Sequence, residues 1–238
     1  MGKRYNIMTS CDDALVPYVA VGLTAMAQNL KKAGIDFYFL HSRVSSKNIS
    51  MLKDLCGELG NEKVCFHEIF VPHAELYSEL AKYGNGWAGE AYYSLCAHLL
   101  LPESIDRVLY LDAGDTLVIG DIEPYYHCDF QGKSLVVTGG RYKLLEGKLE
   151  LFDTADLGDW EEGLPGILRG IFNSGSYMMN LDKMRKDERT LADYQYLCGK
   201  LRELLGKDNH MIYWGDQGLL SAAFVGYVRY YGFPQIRN

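Results

Sequence analysis

The sequence has no apolar run approaching the ~20 residues that a membrane-spanning helix requires. Its start, Met1-Gly-Lys-Arg-Tyr-Asn-Ile-Met8, lacks the long apolar core of a signal peptide, and Asn6 stands where a myristoylation signal carries Ser or Thr. These absences lead to the expectation of a cytoplasmic chain, free or peripheral to the inner face of a membrane. No two of the six cysteines (Cys11, Cys56, Cys65, Cys96, Cys128 and Cys198) form a C-x-x-C pair. Their spacings match no common zinc pattern and several sit in apolar stretches, so reduced, mostly buried thiols are expected. Positive charge is in deficit, 24 Lys and Arg against 31 Asp and Glu for a net charge of -7, which argues against nucleic acid as a general partner. Lys31-Lys32 and Lys183-Met-Arg-Lys186 read as solvated helix surface rather than a lipid site. Repeats, low-complexity tracts and linkers are absent too. Residues 1–238 therefore read as one domain, long enough and, at 48% apolar, hydrophobic enough for a well-filled core.

Strand and helix signals alternate through the first third. Tyr5–Ser10 reads as a strand and Cys11-Asp12-Asp13 as the loop after it. Val19, Leu23, Met26, Ala27 and Leu30 recur at helical spacing, which predicts a helix over Pro17–Lys32 stopped by Gly34. Asp36–His41 predicts a second strand, Ser45–Leu59 a helix capped by Ser45 and ended by Gly60, and Lys63–Phe70 a third strand. This order predicts an α/β fold with a mostly parallel, doubly wound sheet and helices on both faces. Further on, Glu90–Leu101 predicts an apolar helix stopped by Pro102, Val108–Leu111 and Ser134–Thr138 predict strands, and Thr190–Leu205 and Gly215–Val225 predict helices. Ile171–Leu181 is β-like around Asn173-Ser-Gly175. Residues 141–170, with Trp160, lose periodicity and read as a variable insertion or a lid over a site.

Four polar constellations interrupt this pattern. The first is Arg107-Val-Leu-Tyr-Leu-Asp-Ala-Gly-Asp-Thr-Leu-Val118, where an apolar strand runs into Asp112 and Asp115. Paired carboxylates at the carboxyl edge of an open sheet occupy the usual ligand position and repel each other unless a cation lies between them. Mg²⁺ or Mn²⁺ that also grips a diphosphate is the simplest candidate, against a plain turn cap. The second is Thr9-Ser-Cys-Asp-Asp13, where Asp12 or Asp13 either accepts from a nucleotide base or is an acid placed at a helix start. The third is Phe172-Asn-Ser-Gly-Ser176, which by spacing alone reads as a turn. The fourth is Trp214-Gly-Asp-Gln-Gly218, where Asp216 and Gln217 either face sugar hydroxyls or Asp216 is an N-cap. The eighteen tyrosines, among them Tyr92-Tyr93, Tyr125-Tyr126 and Tyr230-Tyr231, read as core and rim. The scattered histidines read as structural.

Taken in order, these segments resemble the family-8 retaining glycosyltransferases, which include glycogenin and the bacterial lipopolysaccharide galactosyl- and glucosyltransferases. The landmarks are Ile7-Met-Thr-Ser-Cys-Asp-Asp13 with Val16-Pro-Tyr-Val-Ala-Val21, Leu100-Leu-Pro-Glu-Ser-Ile-Asp-Arg-Val-Leu-Tyr-Leu-Asp112, Phe172-Asn-Ser-Gly-Ser-Tyr-Met-Met-Asn-Leu181 and Asp216-Gln217. The resemblance implies a Rossmann-like sheet of the GT-A type. It implies a UDP-sugar donor held with Mn²⁺ or Mg²⁺, and hexose transfer with retention to a glycan, lipid-linked or lipopolysaccharide-type acceptor. It sets Thr9, Ser10 and Asp12 or Asp13 at the nucleotide, and Asp112 and Asp115 on the metal. Asn173 and Ser174 would line the sugar and acceptor pocket, and Asp216 and Gln217 would face the reacting carbon. Retention by a nucleophile and by same-face attack both remain open, as does oligomeric state.

The chain departs from the family pattern in four places. The acid pair is D-x-x-D rather than D-x-D, which requires Asp115 to return through a bulge at Gly114. Ala14-Leu15 replace Asn-Tyr. Ser94 or a neighbour stands where a basic residue is usual, and the His-x-x-Gly metal motif would fall beyond Asn238, as in a fragment or a short form with an incomplete metal shell. Two other readings compete. One is a catalytically weak nucleotide-sugar or glycan-binding module. The other is a haloacid-dehalogenase-type phosphohydrolase, whose nucleophile loop Leu111-Asp-Ala-Gly-Asp-Thr-Leu117 resembles, although Gly114 stands where an acid is needed.

Overall fold

The computed structural model describes residues 3–30, 33–84, 86–138, 142–145, 148–151, 167–168, 170–206 and 211–231. Nine strands are described: β1 Arg4–Ser10, β2 Gly34–His41, β3 Val64–Phe70, β4 Arg107–Leu111, β5 Leu135–Thr138, β6 Tyr142–Leu145, β7 Lys148–Leu151, β8 Ser176–Asn180 and β9 Val228–Tyr231. The α-helices are α1 Val16–Asn29, α2 Ser46–Leu59, α3 Ala74–Ala81, α4 Ala97–Leu100, α5 Glu123–Tyr126, α6 Leu181–Lys186, α7 Leu191–Leu205 and α8 Gly215–Ala223. Seven strands form one sheet in the order β3-β2-β1-β4-β8-β5-β9, with β8 antiparallel to both neighbours and every other pair parallel.

Both faces of this sheet are covered, which is why its central strands are apolar on both sides. Alternation along β1 sends Ile7 to one face and Met8 to the other. Ile7 joins Phe37, Phe39, Leu109 and Met178 beneath Leu23 and Met26 of α1 and Leu52 of α2. Met8 joins Leu40, Tyr110, Tyr177 and Met179 beneath Tyr77 of α3, Met184 of α6 and Leu201 of α7. The expected doubly wound sheet is therefore present. Chain order turns back between β1 and β4, one running on to β2 and the other to β8, so their carboxyl ends open a crevice at a topological switch point.

Local chemistry explains the element ends. Ser45 caps α2 by accepting from the Asn48 N–H at 3.4 Å, as the sequence predicts. Thr190 and Asp193 form a reciprocal capping box at the start of α7. The helix expected over Glu90–Leu101 is instead a 3-10 segment, Gly89–Cys96, followed by the single turn of α4. Its residues pack on every side, with Tyr92, Tyr93, Ser94, Leu95 and Cys96 all buried, so no solvent face remains for an amphipathic α-helix. The β-like stretch Ile171–Leu181 is a strand only from Ser176, because Asn173 turns the chain before it. The hairpin of β6 with β7 falls within the expected insertion. Of the rest of that stretch only Ile167, Leu168 and Gly170 are described; Trp160, and Lys31, Lys32 and His210, lie outside the described residues.

Because burial rather than helix propensity holds α1 to the sheet, substitutions on its two faces should separate. Leu23 is fully buried and Val21 is 58% exposed. Leu23→Ala should cost about 2–5 kcal/mol in denaturant unfolding, whereas Val21→Ala should change stability by less than about 0.5 kcal/mol. Equal losses would refute this docking of α1.

Candidate active site

The crevice is assembled from four chain segments that end at the same sheet edge. From β1, the buried Thr9 hydroxyl donates to the Leu111 carbonyl and ties the strand to β4 one residue before Asp112. Ser10 beside it is also buried. Asp12 then caps a short 3-10 turn, its Oδ1 accepting from the Ala14 N–H at 2.9 Å and the Leu15 N–H at 3.2 Å. Asp13 reaches sideways to α2. Its Oδ1 accepts from the Ser45 N–H and from Asn48 Nδ2, both at 2.8 Å, and these bonds hold its carboxyl below the usual carboxylate range. Both acids therefore have structural partners.

β4 delivers Asp112. Its backbone N–H donates to the Gly175 carbonyl at 2.9 Å, and its Oδ1 accepts from the Tyr110 hydroxyl at 3.2 Å. Burial, and then the negative charge of Asp115, push the Asp112 carboxyl up to about 6. The two acids thus sense each other across the loop, although Asp115 itself is exposed. Gly114 between them has φ +99°, the left-handed conformation that the expected bulge demands. Thr116 closes the loop by donating to the Gly175 carbonyl at 3.3 Å.

Asn173-Ser-Gly175 packs directly on that loop. Asn173 Oδ1 accepts from the Gly175 N–H at 2.8 Å, an Asx turn that leaves Asn173 exposed at the crevice and Ser174 buried. A Cβ on Gly175 would lie 2.9 Å from that Oδ1 and 3.8 Å from Asp112 Cβ, so glycine sets the close approach of the two loops.

α8 supplies the fourth wall. Its start is anchored by the Trp214 N–H donating to the Leu168 carbonyl at 2.7 Å. A Cβ on Gly218 would meet that carbonyl oxygen at 2.0 Å. The reading of Asp216 as an N-cap is corrected here. Trp214 holds that position, and Asp216 lies within the first helical turn, where it is buried. Burial, followed by the charge of Asp112, raises the Asp216 carboxyl to about 7, while the Ser174 hydroxyl and first-turn N–H groups pull the other way. Gln217 Oε1 accepts from the Ser174 N–H at 3.3 Å, and Gly170, at φ +103°, clears the space its amide fills.

Asp112, Asn173, Ser174, Asp216 and Gln217 are therefore one connected constellation, with Asp115 at its mouth. Thr9 lies beneath it, and Asp12 and Asp13 flank it through the β1 exit. Thr116, a turn residue by sequence, also belongs to it, as do Tyr110 and Gly170, which no sequence signal singled out. Among the described residues, no lysine, arginine or histidine forms an ion pair with Asp112, Asp115 or Asp216. Ser94, which the resemblance sets at or beside a basic position, is fully buried.

Comparison with known proteins accords with this geometry. The sequence profile of Glycosyl transferase family 8 matches residues 6–231. The chain belongs to this family. A curated family relative, the lipopolysaccharide 1,2-glucosyltransferase of Escherichia coli (strain K12), is 24% identical over 221 residues, which are 93% of this chain and 58% of that protein. The chain thus spans under two thirds of that relative's length. The galactosyltransferase LgtC, solved in complex with donor and acceptor sugar analogues, superimposes with a TM-score of 0.71 at 20% identity, over 94% of this chain and 72% of LgtC. The core-mannan synthase A of Aspergillus fumigatus, in its Mn/GDP form, superimposes with a TM-score of 0.53 at 11% identity, over 97% of this chain and 73% of that one. These likenesses establish the GT-A fold. Family 8 membership sets the phosphohydrolase reading aside.

The buried acid of α8 has a thermodynamic consequence. With a folded-state pKa of about 7 against an ordinary 3.8, Asp216 keeps a proton that the unfolded chain has released. Its contribution to stability is fully present at low pH and is lost as pH rises from about 4 to about 7. Asp216→Asn should flatten that part of the pH profile and stabilise the metal-free protein near pH ~8 by on the order of 2–4 kcal/mol. Thermal midpoints measured across pH test this, and a variant that keeps the wild-type profile would refute the assignment.

Proposed function

We propose that this family 8 chain is a metal-dependent retaining glycosyltransferase that moves a hexose from a UDP-sugar to a lipopolysaccharide-type or related glycan acceptor. The observation that carries this reading is the joining of Asp112, Ser174, Asp216 and Gln217 at the switch point, with no ion pair to the acids from any cation among the described residues. The lipopolysaccharide glucosyltransferase relative supports the acceptor class, and the sugar-analogue complex of LgtC supports a sugar-donor crevice at this sheet edge. Among the described residues no helix is long and apolar enough to cross a membrane, which is compatible with the proposed cytoplasmic site of action.

The residues present fit a hard dication. Asp112 and Asp115 offer carboxylate oxygens, the preferred donors of Mn²⁺ and Mg²⁺, and the upward shift of Asp112 comes first from burial and then from the charge of Asp115. When bound, such an ion would neutralise charge on a leaving diphosphate. The protein's own groups have separable tasks in this reading. Thr9, Ser10, Asp12 and Asp13 border the nucleotide end. Asn173 and Ser174 contact sugar hydroxyls. Asp216 and Gln217 face the anomeric carbon, where the Ser174 N–H fixes the Gln217 carboxamide. A fixed amide dipole there favours charge that develops only in the transition state. One observation favours the weaker reading, a binding module: Ser94, at or near the place where the family carries a basic residue, is fully buried and brings no charge to a diphosphate. Nucleotide-sugar hydrolysis in the presence of Mn²⁺ separates the two.

Calorimetric titration of UDP should show binding that requires Mn²⁺, and Asp112→Asn should abolish it. Unchanged titration curves for that variant would remove Asp112 from the metal. Gln217→Ala should lower kcat by about 10²–10³-fold with donor affinity nearly unchanged. A loss confined to UDP affinity would move Gln217 from the reacting carbon to the nucleotide.

A further inference from the structure

A second ligand cluster lies away from the crevice, toward the amino-terminal ends of β2 and β3 at the sheet margin. Parallel pairing sets Asp36 of β2 opposite Cys65 of β3, and Tyr38 opposite His67. Strand alternation then puts all four side chains on one face. One ligand atom each from Asp36, Cys65 and His67 falls within 4.8 Å of the other two. No other such trio of histidine, cysteine and acid groups occurs among the described residues, the acids of the crevice included.

The surroundings favour an ion rather than a chance meeting of polar groups. Asp36 Oδ1 lies 3.2 Å from His67 Nε2, so a carboxylate oxygen and an imidazole nitrogen already face each other. The other oxygen, Oδ2, accepts from Arg4 Nε at 2.7 Å, and Arg4 Nη2 also donates to Oδ1 at 3.2 Å. Arg4 is itself fixed, donating to the Ile35 carbonyl at 2.7 Å and the Glu62 carbonyl at 2.9 Å. That is the arrangement in which an outer hydrogen bond orients a ligating carboxylate. The His67 ring stacks on Tyr38 with centroids 4.6 Å apart and planes 13° apart, which holds the imidazole plane. Cys65 differs from the chain's other cysteines, which are all buried, in being only half-buried.

We propose that Asp36, Cys65 and His67 form a zinc-type site, separate from the catalytic crevice, that staples the edge strand β3 to β2. The donor set decides the metal. Thiolate sulfur, imidazole nitrogen and one carboxylate oxygen suit Zn²⁺, with water in the fourth position, and are a poor match for Mn²⁺ or Mg²⁺. Binding releases the Cys65 thiol proton to solvent, and the neutral His67 proton moves to Nδ1 so that Nε2 offers its lone pair. With aspartate and thiolate at -1 each, a dication leaves only the Arg4 charge, which keeps its Nε bond to Oδ2 while the longer Nη2 bond to Oδ1 gives way to the ion. Because the ligands come from two strands joined by register, a bound ion stabilises the folded chain by mass action.

The test uses the reduced, full chain with Co²⁺ as a spectroscopic stand-in for Zn²⁺. One equivalent should give a thiolate-to-cobalt charge-transfer band that Zn²⁺ bleaches, and Zn²⁺ should raise the melting midpoint. Cys65→Ser should lose the band, His67→Ala should weaken binding by roughly tenfold or more, and Asp112→Asn should keep both signals. Circular dichroism checks that each variant is folded. Absence of the band in the wild-type protein, or its survival in folded Cys65→Ser, would overturn the site.

Discussion

The constraint on which the rest depends is mutual repulsion among acids that the fold holds at one sheet edge. Asp112 ends a buried strand and Asp216 sits inside the first turn of a buried helix; beyond the effect of burial, the charge of Asp115 raises the proton affinity of Asp112, and the charge of Asp112 raises that of Asp216. Neither can retreat into solvent. Asp112 is fixed by its backbone bond to Gly175, and α8 by its bond to Leu168. A structure that minimised its own free energy would place a lysine or arginine between them. Among the described residues none pairs with these acids, and the cost, on the order of a few kcal/mol per carboxylate, falls on the metal-free state. Such sites are maintained where a ligand supplies the missing charge.

The remainder of the fold can hold that unfavourable arrangement because the sheet is packed on both faces. Aromatic and aliphatic side chains fill each layer, from Ile7, Phe37 and Phe39 on one side to Tyr92, Tyr110 and Tyr177 on the other. Against that rigid base the loops approach more closely than side chains would allow. Gly175 lets the Asn173 turn lie on Asp112, Gly170 makes room for Gln217, and Gly218 lets α8 touch the Leu168 carbonyl. The three glycines therefore govern distances between functional groups without supplying any chemistry themselves.

Much of this was legible before any coordinates. Apolar periodicity located α1, α2 and the first three strands, and the run into Asp112 identified the carboxyl edge that matters. Family resemblance then ordered four weak motifs into one site. What failed did so for physical reasons. The segment after Gly89 carries no amphipathic signal because it is buried all round, so apolar content suggested an α-helix where a 3-10 segment forms. Asp216 looked like a cap because local sequence cannot register that Trp214 takes that position and that burial awaits the acid. Tyr110 and Gly170 were invisible because their roles depend on contacts made across the sheet. The cluster of Asp36, Cys65 and His67 escaped for the same reason: its ligands share no linear spacing, and only strand register joins them.

Charge also dictates an order of events in the proposed reaction. A nucleoside diphosphate entering the bare crevice would meet Asp112, Asp115 and Asp216 with no cation among the described residues to receive it. A dication would meet the opposite field. The ion and the diphosphate would then favour each other's binding, each raising the affinity of the other by the same factor through linkage. Neutralising Asp112 would also remove one of the charges that hold Asp216 protonated, so loading would favour ionisation of the acid that the proposed reaction sets at the reacting carbon. Because burial is the first cause of the raised Asp216 carboxyl and the charge of Asp112 only the second, loading would lower its proton affinity without being the sole control on its ionisation.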